Sequence, residues 1–169
     1  MPILTLRSIK NPSLPIPGSD PWHANAGDPA MTVMTDFRER HSVTVADTMP
    51  IDAALEHMKH TGVRCAFAVD DERLAVIGLI TAYDIMSEKP TQASHTKRQD
   101  IVVRDIMQRI ADWRVLHVND LERSTVGSIS NLFKETGLTH IPAIETDAKG
   151  VVRLRGLLSS AKVKKLLAR

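Results

Sequence analysis

The sequence predicts an α/β protein in which one β-α-β-β-α unit is used twice and the two copies pack with pseudo-two-fold symmetry. Three observations predict it. Strand-like apolar runs and helix-period stripes follow one another in the same order in both halves of the chain. The glycines that end the first helix of each copy, Gly62 and Gly137, lie about 75 residues apart, and those inside the last strands, Gly78 and Gly156, about 78 apart, a repeat at the scale of a small domain. Each copy alone carries too little apolar surface for a comfortable core, so the two should share an interface. A cleft on the resulting pseudo-two-fold axis is the natural place for a ligand.

Residues 1–30 carry six of the nine prolines and show no sustained period, which reads as an extended or disordered arm. The first repeat is expected over 31–90. Ser42-Val43-Thr44-Val45 is a short strand, and a helix follows with Ile51, Ala54, Leu55 and Met58 on its inner face. Gly62 supplies the cap that stops it. Val63 to Val69 is a strand, Asp70-Asp71-Glu72 a turn, and Leu74 to Ile80 a second strand. Thr81 opens a helix that ends before Pro90. Residues 91–100 are polar and read as a linker.

The second repeat, 101–169, returns the same elements. Val115 to Val118 is the short strand. Ser124 is the N-cap of a helix with Val126, Ile129 and Phe133 inward, ended by Gly137. Leu138 to Ile144 is a strand, Asp147 to Gly150 a turn, Val151 to Leu158 a strand, and Ser159 opens the last helix. The helix faces bearing Ile51, Leu55, Met58, Ile129 and Phe133 are rich enough in apolar residues to predict a homodimer that covers part of them.

Composition narrows the function. A net charge of +2 and 4% aromatic residues argue against a nucleic-acid binder, which needs a basic face or stacking platforms. No apolar run reaches membrane-spanning length. The stretch Met1 to Asp20 is cut by prolines and lacks the apolar core of a signal peptide, so a cytoplasmic protein is expected. The single cysteine, Cys65, cannot form an internal disulfide and sits in an apolar run, which predicts a buried, inert thiol.

Two stretches carry chemistry. In Gly78-Leu79-Ile80-Thr81-Ala82-Tyr83-Asp84 a hydroxyl and a carboxylate three residues later sit at a helix start. That spacing makes a capping box. The same geometry suits a nucleotide, since helix N-terminal N–H groups and a threonine hydroxyl accommodate a phosphate and a carboxylate can accept from two ribose hydroxyls. The second copy reads Gly156-Leu157-Leu158-Ser159-Ser160-Ala161-Lys162. Here a lysine replaces the carboxylate, in a first turn where the helix dipole disfavours a cation. Either Lys162 points to solvent or an anion lies nearby.

Residues 31–169 resemble a tandem pair of cystathionine-β-synthase-type (CBS) domains, a Bateman module. The resemblance rests on Gly78 to Asp84, on Asp105-Ile106-Met107 ahead of the second repeat, on Thr44-Val45 with Pro50 to Leu55, and on Leu138-Thr139-His140-Ile141-Pro142-Ala143, similar to the family's adenine-facing strand. It implies β-α-β-β-α units that pair, dimerise, and bind AMP, ADP, ATP or S-adenosylmethionine between them. On that pattern Thr81 and Asp84 would face Leu138, His140 and Ile141, with His117 near. Ser159 and Lys162 would face Val63, Arg64 and Ala66. Phe67 stands where the family often has proline and Lys162 where it has aspartate. Both departures fall in the second cleft, where Arg64 and Lys162 suit an anion.

Other signals are plainer. His57 and His60 share a polar helix face with no third ligand evident, which reads as a solvated face rather than a metal site. No nucleophile–base pair and no metal set is recognisable, so no enzyme is expected. Two function classes stay open: a regulatory module that senses an adenosine ligand and acts on an effector protein in trans, and a structural or partner-binding scaffold with empty clefts.

Overall fold

The computed structural model describes residues 21–72, 75–93 and 97–168, together with Ser8, Lys10, Pro12 and Ser13. In chain order the elements are β1 (Thr35–Asp36), β2 (Thr44–Ala46), α1 (Ile51–Thr61), β3 (Cys65–Val69), β4 (Val76–Thr81), α2 (Ala82–Met86) and α3 (Lys89–Ala93). They continue with α4 (Val103–Ile106), β5 (Gln108–Arg109), β6 (Leu116–His117), α5 (Val118–Leu121), α6 (Val126–Thr136), β7 (His140–Thr146), β8 (Val152–Ser159) and α7 (Ser160–Leu167). A turn of 3-10 helix, Ala30–Val33, precedes β1.

These strands form two four-stranded sheets of the same design, β2-β3-β4-β5 and β6-β7-β8-β1. In each, the first pair is parallel and the next two are antiparallel. Both carry a register shift at the same place, Ala68/Val69 in one and Ala143/Ile144 in the other. The helices α1 and α6 connect the parallel strands, as a parallel pair requires. Each ends on a glycine in the left-handed conformation, Gly62 at φ 71° and Gly137 at φ 67°, which a side chain rarely adopts. The repeat read from the sequence is therefore a structural repeat.

The fourth strand of each sheet is exchanged. β5 lies inside the stretch expected as the second repeat, 101–169, yet pairs with β4 of the first, Gly78 opposite Arg109. β1 lies inside the stretch expected as the first repeat, 31–90, yet pairs with β8 of the second, Gly156 opposite Asp36. Glycine is needed at both crossings because a methionine from the exchanged segment packs there. A Cβ on Gly78 would stand 2.6 Å from the Met107 sulfur, and one on Gly156 2.7 Å from the Met34 sulfur and 2.5 Å from the Thr35 carbonyl oxygen. Arg155 fastens β1 further, donating from Nε and Nη2 to the two Asp36 carboxylate oxygens at 2.9 and 2.8 Å.

Each repeat keeps its own apolar core. Val45, Ile51, Ala54, Met58, Ile80 and Ile85 pack in the first with Val103 and Ile106 of the exchanged segment. Leu121, Val126, Ile129, Phe133, Ile141, Leu158 and Val163 pack in the second with Ala24, Ala30, Val33 and Met34. A third cluster joins the repeats: Cys65, Phe67 and Leu79 meet Phe37, Trp113, Leu154 and Leu157. Phe67 sits edge-on to Phe37, ring centroids 5.6 Å apart.

Several expectations need correction. Of the stretch read as an arm, 21–30 does not trail away: Ala24 N–H donates to the Leu166 carbonyl at 3.0 Å, Val126 N–H to Asp28 and Gly127 N–H to Ala26. Alanines at 24 and 30 are small enough to dock on the second core without the apolar period that a packed helix or strand would show. Most of 1–20 lies outside the described residues. The helix opened by Thr81 stops at Met86. Pro90 sits inside α3, in a first turn where its missing N–H costs nothing, so part of the expected linker is helical. Thr125 caps α6, its hydroxyl accepting from Ser128 N–H at 3.3 Å. The Ser124 hydroxyl donates instead to the Asp120 carbonyl at 2.7 Å. Val118 starts α5 instead of ending a strand. Leu74, the expected start of the second strand, lies outside the described residues. Ile51, Met58, Ile129 and Phe133 are consumed by the cores and are no interface for a second chain. The exposed apolar side chains beside α1 are Tyr83 and Met86 on α2.

Candidate functional site

The sheet design brings the ends of β4 and β8 and the starts of α2 and α7 to one region between the repeats. A cavity of about 600 Å³ opens there, lined by Thr81, Ala82 and Tyr83 from one repeat and His140, Ser159 and Ser160 from the other. A larger cleft of about 940 Å³ shares Arg64, His140 and Ser159 with it and is lined further by Lys162 and Lys165.

Thr81 caps α2. Its hydroxyl accepts from Asp84 N–H at 3.0 Å, and Thr81 N–H donates to Asp84 Oδ2 at 3.4 Å, so the capping box is formed. The Asp84 carboxylate is 5% exposed as a residue and does more than cap. Lys89 Nζ lies 2.6 Å from Oδ1, and Gln108 of β5 donates to Oδ2 at 3.3 Å. A buried carboxylate needs such partners, because leaving its charge unpaired would be costly. Asp84 does not itself line the 600 Å³ cavity; it stands behind Thr81.

The second copy repeats the plan with other chemistry. Ser159 caps α7, accepting from Lys162 N–H at 3.5 Å. Lys162 Nζ lies 3.5 Å from the Thr35 hydroxyl of β1. Gln108 and Thr35 hold equivalent places, one opposite Leu79 and the other opposite Leu157. In each copy the third residue of the helix meets a polar residue of the exchanged strand.

The sequence-predicted residues divide accordingly. Thr81 and His140 meet across the smaller cavity, with Asp84 close behind. Val63, Arg64 and Ser159 line both clefts, and Lys162 lines the larger. Ile141 is buried in the second core and Ala66 in the first, while Leu138 packs against the second core and lines a separate recess. His117 lines none of these cavities. It caps α5, its Nδ1 accepting from Asn119 N–H at 3.2 Å. His57 and His60 are exposed on α1, and among the described residues no group of three or more His, Cys, Asp or Glu could hold a metal.

Sequence reading missed Lys89 and Gln108, the partners of Asp84, and Trp22, Arg40, His41 and Lys165 in the larger cleft. Gln108 could have been found from the repeat: if Met34 and Met107 are equivalent, so are Thr35 and Gln108. Trp22 sits in proline-rich sequence with no period to place it.

Two titratable groups are set by burial. It pushes the Cys65 thiol up to about 12, the Asp84 charge adding to the effect, so the thiol stays protonated and unreactive. It pulls His140 down to about 4, the Asp84 charge opposing.

Two like sheets with exchanged edge strands and a shared cleft make a tandem-repeat α/β domain pair. Residues 19–90 match the CBS domain family model, and the chain as a whole has the fold of CBS-pair proteins. It is similar to CBSX2 from Arabidopsis thaliana, solved in complex with AMP, at 23% identity and TM-score 0.53 over 81% of this chain and 93% of that one. It is similar also to a CBS-domain containing protein from Agrobacterium tumefaciens, at 18% identity and TM-score 0.59 over 91% and 98% of the two chains. The CBS domain pair of protein MJ0100, solved with 5′-methylthioadenosine and S-adenosyl-L-methionine, matches at 17% identity and TM-score 0.52 over 79% and 95%. No curated protein matches the sequence.

The histidine gives a pH test. With a folded midpoint of about 4 against an ordinary 6.5, the unfolded chain takes up this proton first as pH falls. The contribution of neutral His140 is intact above 6.5 and is lost progressively between 6.5 and about 4. An NMR titration of the imidazole should find the low midpoint, and His140→Gln should flatten that part of the stability–pH curve. A midpoint near the ordinary histidine value would contradict the burial argument.

Proposed function

We propose that the chain is a ligand-sensing regulatory module that binds an adenosine-containing molecule (AMP, ADP, ATP or S-adenosylmethionine) in the cleft between its repeats. The observation that carries this reading is the meeting of Thr81 from one repeat and His140 from the other across one cavity, with the Asp84 carboxylate immediately behind. A ligand seated there touches both repeats and can bias how they sit together, which is what a sensor requires. The CBS pairs solved with AMP and with S-adenosyl-L-methionine support the choice of ligand class.

Asp84 is the ribose-binding residue in this proposal. Both of its oxygens already have partners, so the ligand must take the place of one. Lys89 is the replaceable partner: its side chain is 47% exposed, against 7% for Asp84, and a half-solvated lysine exchanges an ion pair at little cost. The neutral, half-buried His140 and the adjacent Thr139 would border the base.

The exposed pair Tyr83 and Met86, at 70% and 66%, lines the outer part of this cavity. We place a second copy of the chain over it and an effector protein acting in trans on the assembled pair. Among the described residues no helix is long and apolar enough to cross a membrane. Light scattering at micromolar concentration should give twice the chain mass, falling to the single mass in Tyr83→Glu. A wild-type monomer would contradict the dimer.

The binding site has a sharper test. A hydrogen bond to a charged group contributes about 1.5–3 kcal/mol, so Asp84→Ala should weaken adenosine-ligand binding by about one to two powers of ten in calorimetry. Asp84→Asn should lose less, because its amide oxygen still accepts. Melting curves of the free variants separate this from the cap, whose loss costs about 0.5–2 kcal/mol of stability. Equal affinity in wild type and Asp84→Ala would leave Thr81 and Asp84 as a helix cap only.

A further inference from the structure

The Asp84 carboxylate is shared by parts of the chain that are held in very different ways. Its cap fixes it to the start of α2. Gln108 reaches it from β5, a strand anchored on β4 with Gln108 opposite Leu79. Lys89 reaches it from α3, which has much less to hold it. That helix is five residues long, far below the about 12–15 residues at which an isolated helix is even marginal in water. Thr91 and Gln92 on it are exposed. The Lys89 N–H donates to the Ser87 hydroxyl at 3.2 Å, a contact that stays local. Pro90, which is buried, and the packing of α3 beside α4 tie it to the rest of the fold.

The stretch that follows is stapled independently. Arg98 donates from Nε and Nη2 to Asp52 Oδ1 at 3.2 and 2.9 Å, and from Nη2 to the Ile85 carbonyl at 3.2 Å. Ile51 N–H donates to the Ile101 carbonyl, and Val103 N–H to that of Met49. None of these contacts passes through Asp84. Among the described residues, the 2.6 Å contact of Lys89 Nζ with Asp84 Oδ1 is the ion pair that ties α3 to the first repeat.

We infer that Lys89 is a latch: the ligand of the cleft and α3 compete for one carboxylate. The inference rests on the reading of Asp84 as the ribose-binding residue, and it adds what binding does to the protein. A ribose diol offers donors to both carboxylate oxygens. Gln108 is held by its strand, so the half-solvated ammonium is the partner that leaves. Its departure leaves a five-residue helix resting on Pro90 and α4. Occupancy of the site is thereby converted into local loosening of α3, in the connection between the repeats, while both cores stay closed. The effect is reciprocal: a protein that grips the loosened α3 raises the ligand's affinity, and one that clamps Lys89 onto Asp84 lowers it.

The test uses the full chain with adenosine and S-adenosylmethionine, neither of which brings a phosphate to Lys89. Heteronuclear NOEs of the Thr91 and Gln92 amides read the fast motion of α3, and calorimetry reads affinity. In the free wild type these NOEs should be close to those of α1, and either ligand should lower them. Lys89→Met keeps the apolar stem and removes the charge. Its NOEs should be low without ligand and stay low with it, and its affinity should rise about two- to fivefold. Asp84→Asn should loosen α3 in the free chain with no ligand involved, and unchanged amide shifts at Ile80 and Leu158 show that each variant is folded. A loose α3 in the free wild type, binding that leaves the α3 NOEs unchanged, or no gain in affinity in Lys89→Met would overturn the latch and leave the ribose assignment standing. Absence of binding by both ligands to both proteins would overturn the two together.

Discussion

The edge strand of each sheet comes from the opening stretch of the other repeat, and the clefts depend on that exchange. The strands concerned, Thr35–Asp36 and Gln108–Arg109, are too short to hold by ladder hydrogen bonds alone. They hold because Met34 and Met107 sink against glycine backbone, because α4 and the 3-10 turn before β1 bury apolar side chains in the borrowed core, and because Arg155 grips Asp36. Loss of either segment would expose a sheet edge and part of a core together. The exchange also delivers Gln108 to Asp84 and Thr35 to Lys162. Each of these charged side chains therefore meets a polar partner carried in by the exchange.

On this symmetric frame the chemistry is not symmetric. The third residue of the helix after the last strand is Asp84 in one copy and Lys162 in the other. The carboxylate is buried among a lysine, an amide and the backbone, and its negative field acts on Cys65 and His140. The lysine opens onto a basic cleft instead.

The sequence made the repeat legible because punctuation survives where side chains diverge. Gly62 and Gly137 mark helix ends through their backbone conformation, and Gly78 and Gly156 mark close approach. Thr81, Asp84, Ser159 and Lys162 were legible as helix starts for the same reason. The exchange was not legible. Asp105-Ile106-Met107 reads as the opening of the second repeat, since order along the chain says nothing of which sheet a two-residue strand joins. The docking of 21–30 was hidden likewise, because Ala24 and Ala30 are small and their contacts are largely backbone hydrogen bonds. His117 was misplaced toward the cleft because the repeat places an element but does not place the side chain that leaves it: its imidazole turns back to cap α5.

Exchanged edge strands make a direct demand on folding: neither sheet can open while the other stays intact. Native-state hydrogen exchange across increasing denaturant reads this residue by residue. The amides of Ile80 in the first sheet and Leu158 in the second should exchange only through global opening, with one shared free energy equal to that of unfolding. Exchange of one of them at a distinctly lower free energy, with the other still protected, would show two independent domains and contradict the account.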